Sequence, residues 1–201
     1  MSKKIKLKKL ALDRKAFCFD GFKKISEFQD GAFDVEDYVS PWSIGAHNYD
    51  ADLMLIGQDW ASSKWLSKPN NLKFSGLGQN PNLMTNRNLV EYLKYFDLNF
   101  SDTYATNAFV FVKEGGMSAK IAKHFLLESI NMFLLPQIEI VKPKMIICLG
   151  EETYNAVRQV NNYPGIKVGN GQTVAMQLMG ADVYGVNHTG GHGTKNAGGK
   201  E

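Results

Sequence analysis

The chain has 201 residues, 44% hydrophobic and 21% charged, with a formal net charge of +3, which is the profile of one ordinary globular domain spanning 1–201. No apolar run is long enough to span a bilayer as a helix. Two distant cysteines, Cys18 and Cys148, exclude a disulfide framework and a cysteine-based zinc or iron–sulfur centre. Lys8, Lys9, Asp13, Arg14 and Lys15 interrupt any signal-peptide apolar region, so a cytoplasmic protein is expected.

In chain order, Lys3, Lys4, Lys6, Lys8 and Lys9 crowd the first ten residues, and residues 1–20 read as a basic arm, either phosphate-seeking or solubilising. Phe22 to Phe28 has short helical character. Phe33 to Tyr49, interrupted by Pro41 and Gly45, predicts an irregular wrap. Leu53 to Ile56 is a run of four apolar residues, as a parallel strand covered on both faces requires, and this strand carries Asp59 past its end. Trp60 to Asn71 reads as a loop and Phe74-Ser-Gly-Leu-Gly78 as a turn. Thr85 or Asn86 can cap a helix in which Leu89, Leu93 and Phe96 recur at helical spacing.

Within Thr103 to Val112, where β-formers and small residues alternate, a second strand is predicted to end near Asn107 or a little beyond; Gly115-Gly116 breaks the segment, and Ser118 caps a long helix that Pro136 bends or whose first part it ends. Lys144 to Gly150 is a third buried strand, followed by a helix over Glu151 to Val160 with an acidic first turn. Gln172 to Met179 and Asp182 to Asn187 read as strands joined by a Gly180-Ala181 turn, the second delivering His188; residues 197–201 form a flexible tail. Alternating strands and helices argue for an α/β fold with a mainly parallel sheet and helices on both faces.

Three strand ends carry polar residues: Asp59, Asn107 and His188. Each has a structural explanation taken singly: a loop cap, a satisfied backbone, a packed or solvent-facing imidazole. Together with Phe74 in the first crossover they suit a planar heterocycle that is stacked, read by an amide, attacked and stabilised. Competing motifs fail. Gly57 to Lys64 has no second glycine before its lysine, and Gly76-Leu-Gly78 lacks the third glycine of a dinucleotide fingerprint. His188 and His192 are four apart, but Gly190 and Gly191 between them disfavour a zinc-binding helix.

Gly57-Gln58-Asp59 resembles the first motif of the uracil-DNA glycosylase superfamily, and Phe74-Ser-Gly-Leu-Gly-Gln its uracil-stacking segment. Thr103-Tyr-Ala-Thr-Asn107 resembles the strand ending in the base-reading Asn, Lys142 to Gly150 the third strand, and His188 the second-motif His. The resemblance covers about residues 50 to 196. It implies a three-layer α/β/α sandwich around a short, mainly parallel four-stranded sheet, and hydrolysis of the bond joining uracil or another deaminated base to deoxyribose in DNA. Asp59 would then orient water and stabilise positive charge on the sugar, and His188 would donate to the departing base. Gly57 and Gln58 would contact the base, Phe74 would stack on it and Asn107 would read its edge. Ser62, Lys64, Thr189, Gly190 and Lys195 would touch the DNA backbone. No metal, cofactor or membrane partner is expected, and the chain should act as a monomer.

The chain departs from the family's best-known branch at two places. Trp60-Ala61-Ser62 replaces Pro-Tyr-His, removing the tyrosine that excludes thymine's methyl group, and His188-Thr-Gly-Gly-His192 lacks the Pro and the wedge residue of the second motif. A non-catalytic relative that binds nucleic acid or a base, and a nucleoside- or nucleotide-processing hydrolase of the same fold, are the alternatives.

Overall fold

The computed structural model describes residues 1–168 and 175–190. Four parallel strands, β1 (Leu53–Asp59), β2 (Tyr104–Phe109), β3 (Met145–Leu149) and β5 (Ala181–Val186), form the body of one sheet. The short β4 (Met176–Leu178) adds antiparallel at its edge, and the order is β2-β1-β3-β5-β4. Among the described residues the sheet therefore has five strands where the family resemblance implies four, because the strand read before the hairpin turn pairs with β5 over Met176–Leu178.

β1 explains the layering. Met54, Leu55 and Ile56 are all buried, and successive side chains of a strand point to opposite faces. Met54 and Ile56 enter a core with Phe109, Phe133, Ile146 and Tyr154, whereas Leu55 packs with Trp42, Leu89, Leu93 and Leu149. Helices cover both faces: α1 (Lys3–Ala16), α4 (Lys123–Ser129), α5 (Leu135–Val141) and α6 (Glu151–Val160) supply the first core, and α3 (Met84–Lys94) the second. This is an α/β fold.

The expected N-terminal arm is the helix α1, capped by the Ser2 hydroxyl accepting from the Ile5 N–H at 3.4 Å. Leu7, Ala11 and Arg14 are its buried stripe, at the i, i+4, i+7 spacing of one helical face that the interspersed lysines obscure. Arg14 pairs with Asp34 at 2.8 Å, both side chains buried. Lys3 Nζ bonds to Asp50 and to the carbonyls of Tyr49 and Val141, and Lys8 pairs with Asp37. Two of the five lysines are thus occupied in docking the helix.

Other boundaries move. The expected loop after Trp60 contains the short α2 (Ser63–Leu66) and a 3₁₀ helix over Pro69–Leu77. α3 begins one residue before Thr85 and takes Leu83 as its cap. The helix expected from Ser118 starts at Lys123 and runs through a π segment, Ile130–Leu134, before α5, whose first turn holds Pro136. The hairpin turn is Met179-Gly180, with φ of +51° and +86°, one residue earlier than Gly180-Ala181. Residues 172–174 of the expected strand, His192, Lys195 and the tail 197–201 lie outside the described residues.

Candidate active site

β1 and β2 run in parallel register with Gly57 opposite Asn107 and Asp59 opposite Phe109, so their carboxyl ends deliver polar groups side by side. β5 ends two residues before His188. These ends open onto a cavity of about 860 Å³ lined by Gly57, Gln58, Asp59, Asn107, Lys113, His188 and Gly190, at the position where open α/β sheets bind ligands. Trp42, Trp60 and Trp65 contribute aromatic wall, with Glu151 and Glu152 on another side.

Asn107 is only 2% exposed. Its Oδ1 accepts a hydrogen bond of 2.6 Å from the Ser40 hydroxyl, whose own oxygen accepts from the Trp42 N–H at 3.3 Å. Ser40 comes from the irregular wrap that caps the 3₁₀ helix Pro41–Ile44. Gly57 acts by what it lacks: a Cβ there would lie 2.8 Å from Asn107 Nδ2 and 3.3 Å from the Trp42 ring. The amide and the indole close over the bare backbone of β1.

Asp59 meets a residue that the sequence reading does not single out. Lys113 Nζ lies 3.1 Å from Asp59 Oδ1 and 3.0 Å from Oδ2, with the two side chains 4% and 6% exposed, and also donates to the Met117 carbonyl. The Oδ2 atom has no hydrogen bond of good geometry despite that short distance, so Lys113 satisfies one carboxylate oxygen and only neutralises the other. Burial pushes the Asp59 carboxyl above its ordinary value while the Lys113 charge opposes the rise. The available signal for Lys113 is a lone lysine ending the apolar run Ala108 to Val112, all of it buried. A charge there needs a partner.

His188 keeps surface open to solvent at the cavity mouth, yet the protein around it and, secondarily, the Lys113 charge lower its affinity for a proton. The Gly190 N–H donates to His188 Nδ1 at 3.0 Å, so the neutral ring carries its proton on Nε2. A Cβ at Gly190 would lie 2.9 Å from both His188 Nδ1 and Thr85 Oγ1, which is why glycine follows Thr189. Thr189 is anchored twice: its hydroxyl donates to the Thr85 carbonyl at 3.1 Å, and its carbonyl accepts from Asn88 Nδ2 at 2.7 Å. α3 therefore sets the position of the imidazole, a role for Thr85 and Asn88 that sequence spacing does not suggest.

The remaining predicted residues divide. Gln58 lines the cavity and its Nε2 donates to Glu152 Oε2 at 2.7 Å. Phe74 does not join them. Its segment is a 3₁₀ helix rather than an open turn, and the ring is buried outside the cavity wall with Lys73 Nζ 5.0 Å from its centroid. The aromatic surface comes instead from the tryptophans; Trp60 Nε1 donates to the Gly78 carbonyl at 2.8 Å, and Phe33 packs on both Trp60 and Trp65. Among the residues expected to touch a DNA backbone, Ser62 is fully buried with its hydroxyl on Met117 Sδ, and Thr189 is buried as described. Neither faces a phosphate. Lys64 is exposed and Gly190 lines the cavity.

Among the described residues no three His, Cys, Asp or Glu side chains converge as metal ligands, and no helix is long and apolar enough to cross a membrane. Compared with known proteins, the chain matches no protein-family model and no curated protein.

Proposed function

We propose that the protein is a hydrolase of the uracil-DNA glycosylase type, cleaving the N-glycosidic bond of uracil or another deaminated base in DNA and acting as a cytoplasmic monomer. The observation that carries this reading is the meeting, in one cavity, of an oriented Asn107, a buried Asp59 and a neutral His188 with its proton on Nε2. A flipped base enters between the tryptophan wall and the β1–β2 ends, and Asn107 donates to its carbonyl. As the bond from C1′ to the base nitrogen breaks, positive charge grows on the sugar and negative charge on the base. The buried Asp59 carboxylate stabilises the first and the His188 Nε2–H, at the cavity mouth, the second. Water then adds to C1′, and its proton balances the anionic base. Lys113 keeps Asp59 ionised against the cost of burial.

One observation favours a second reading, base recognition without cleavage: the Lys113 charge compensates the carboxylate on which the chemistry depends. The test is alkaline strand scission of single- and double-stranded oligonucleotides carrying uracil, hypoxanthine or xanthine. Scission that disappears in Asp59→Asn supports the hydrolase; a mobility shift without scission supports the binding protein.

A further inference from the structure

The two ends of the Asn107 amide are not equivalent. The oxygen accepts the one proton of the Ser40 hydroxyl at 2.6 Å, and the Ser40 oxygen in turn accepts from the Trp42 N–H at 3.3 Å. Turning the amide over would leave the Ser40 proton without an acceptor in a buried place, since Ser40 is 1% exposed. The nitrogen lies over Gly57. It has no protein partner among the described residues, although Asn107 is buried, and Asn107 lines the cavity.

We infer that Ser40 is a positioning residue that makes Asn107 a donor-only reader, so that the site selects bases by one exocyclic carbonyl and accepts oxo-purines as well as oxo-pyrimidines. The inference rests on the base-binding reading of this cavity. An amide presenting donor and acceptor together would match the O4 and N3–H edge of a pyrimidine. An amide whose oxygen is tied inward offers only N–H, which pairs with O4 of uracil or O6 of hypoxanthine alike and meets the amino group of cytosine or adenine donor to donor. The cavity, at about 860 Å³, has ample room for a purine.

The experiment uses the full chain and reads quenching of its tryptophan fluorescence by the 2′-deoxynucleosides of uracil, hypoxanthine, cytosine and adenine, whose sugar fixes the edge presented to Asn107, with release of the same four bases from single-stranded oligonucleotides measured in parallel. Uracil and hypoxanthine should bind within about threefold of each other, and both about tenfold more tightly than cytosine and adenine, the worth of one hydrogen bond. Ser40→Ala should erase that tenfold preference by letting the amide turn, and Ser40→Thr, which keeps the hydroxyl, should restore it. Exclusion of hypoxanthine, equal binding of all four bases, or an intact preference in a folded Ser40→Ala would each overturn the inference while leaving a base pocket in place. Binding of none would overturn the pocket as well. Selective binding without release would uphold the inference and remove only the cleavage reading.

Discussion

The two halves of the cavity floor solve one problem by different means. On the Asn107 side a neutral amide is held by a single hydroxyl and lies over the bare backbone of Gly57. Two residues along the same strand pair, Asp59 carries a charge and is held by a counter-charge, Lys113, at hydrogen-bond distance on a largely buried site. Orienting a dipole needs one good bond; keeping a charge out of water needs another charge. The reading half is therefore robust to pH and the chemical half is not.

The largest effect should come from breaking the second arrangement. Lys113→Met leaves Asp59 buried and unpaired, and denaturant unfolding should show a loss of about 3–5 kcal/mol near neutral pH. The loss should shrink as pH falls and Asp59 takes up a proton. The double variant Asp59→Asn, Lys113→Met removes both charges and should regain most of the stability; a double variant as weak as the single one would show that packing, and not charge, is what Lys113 contributes.

Next in size is the chemistry itself. Asp59→Asn and His188→Ala should each lower single-turnover base release by roughly two to three orders of magnitude, the scale of losing one electrostatic partner of a transition state. Base binding should be nearly unchanged in both. An unaltered rate in Asp59→Asn would place the carboxylate among the structural groups.

A smaller contrast concerns the aromatic wall. Trp60→Ala should weaken base binding by roughly 1–3 kcal/mol, as loss of a stacking surface does. Phe74→Ala should leave it unchanged, because the ring lies outside the cavity; fluorescence titration of both variants decides between them.

The smallest effect is in pH. The folded state holds the His188 pKa below its ordinary value of 6.5, so between that value and the lowered one the unfolded chain binds the extra proton. Stability contributed by neutral His188 is present above 6.5 and falls as pH drops through the lowered value. Asp59 works in the opposite sense at lower pH, since its raised pKa makes the folded state the better proton binder above the ordinary carboxyl value of 3.8. The difference in urea midpoint between the parent and His188→Gln, followed from pH 7.5 to 5.5, isolates the histidine's share.

Much of this arrangement was legible in the chain. The apolar runs around Leu55 and Ile146 announce buried parallel strands because nothing polar interrupts them, the β-formers around Ala105 mark another, and Asp59, Asn107 and His188 stand out as polar residues near the strand ends. The partners were not legible. Ser40 reaches Asn107 across 67 residues and Lys113 reaches Asp59 across 54, and no local pattern encodes either distance. Phe74 lies off the cavity wall because a segment rich in Asn, Gly and Pro, which reads as a turn, winds into a 3₁₀ helix and its ring is buried elsewhere. The α1 stripe was hidden by composition: lysines at Lys3, Lys4, Lys6, Lys8 and Lys9 dominate a helix whose buried face is only Leu7, Ala11 and Arg14.

The π segment Ile130–Leu134 has a bearing on how the chain tolerates insertion and deletion. It lies between α4 and α5 in one continuous helical stretch, with Ser129 Oγ bonded to the Ala108 carbonyl beside Asn107 on one side of it, and Gln137, Ile138 and Val141 buried on the other. Each residue added to or removed from an α-helix rotates the downstream turns by about 100°, and a π turn is the form in which a helix absorbs one surplus residue. Removing a single residue between 130 and 134 would restore regular α geometry while keeping both faces in phase. The same deletion made between Leu126 and Ser129 would leave the surplus residue in place and turn Leu126, a core residue, out of phase with Ser129. A lineage of this protein can therefore lose a residue at one place in this helix and almost nowhere else along it.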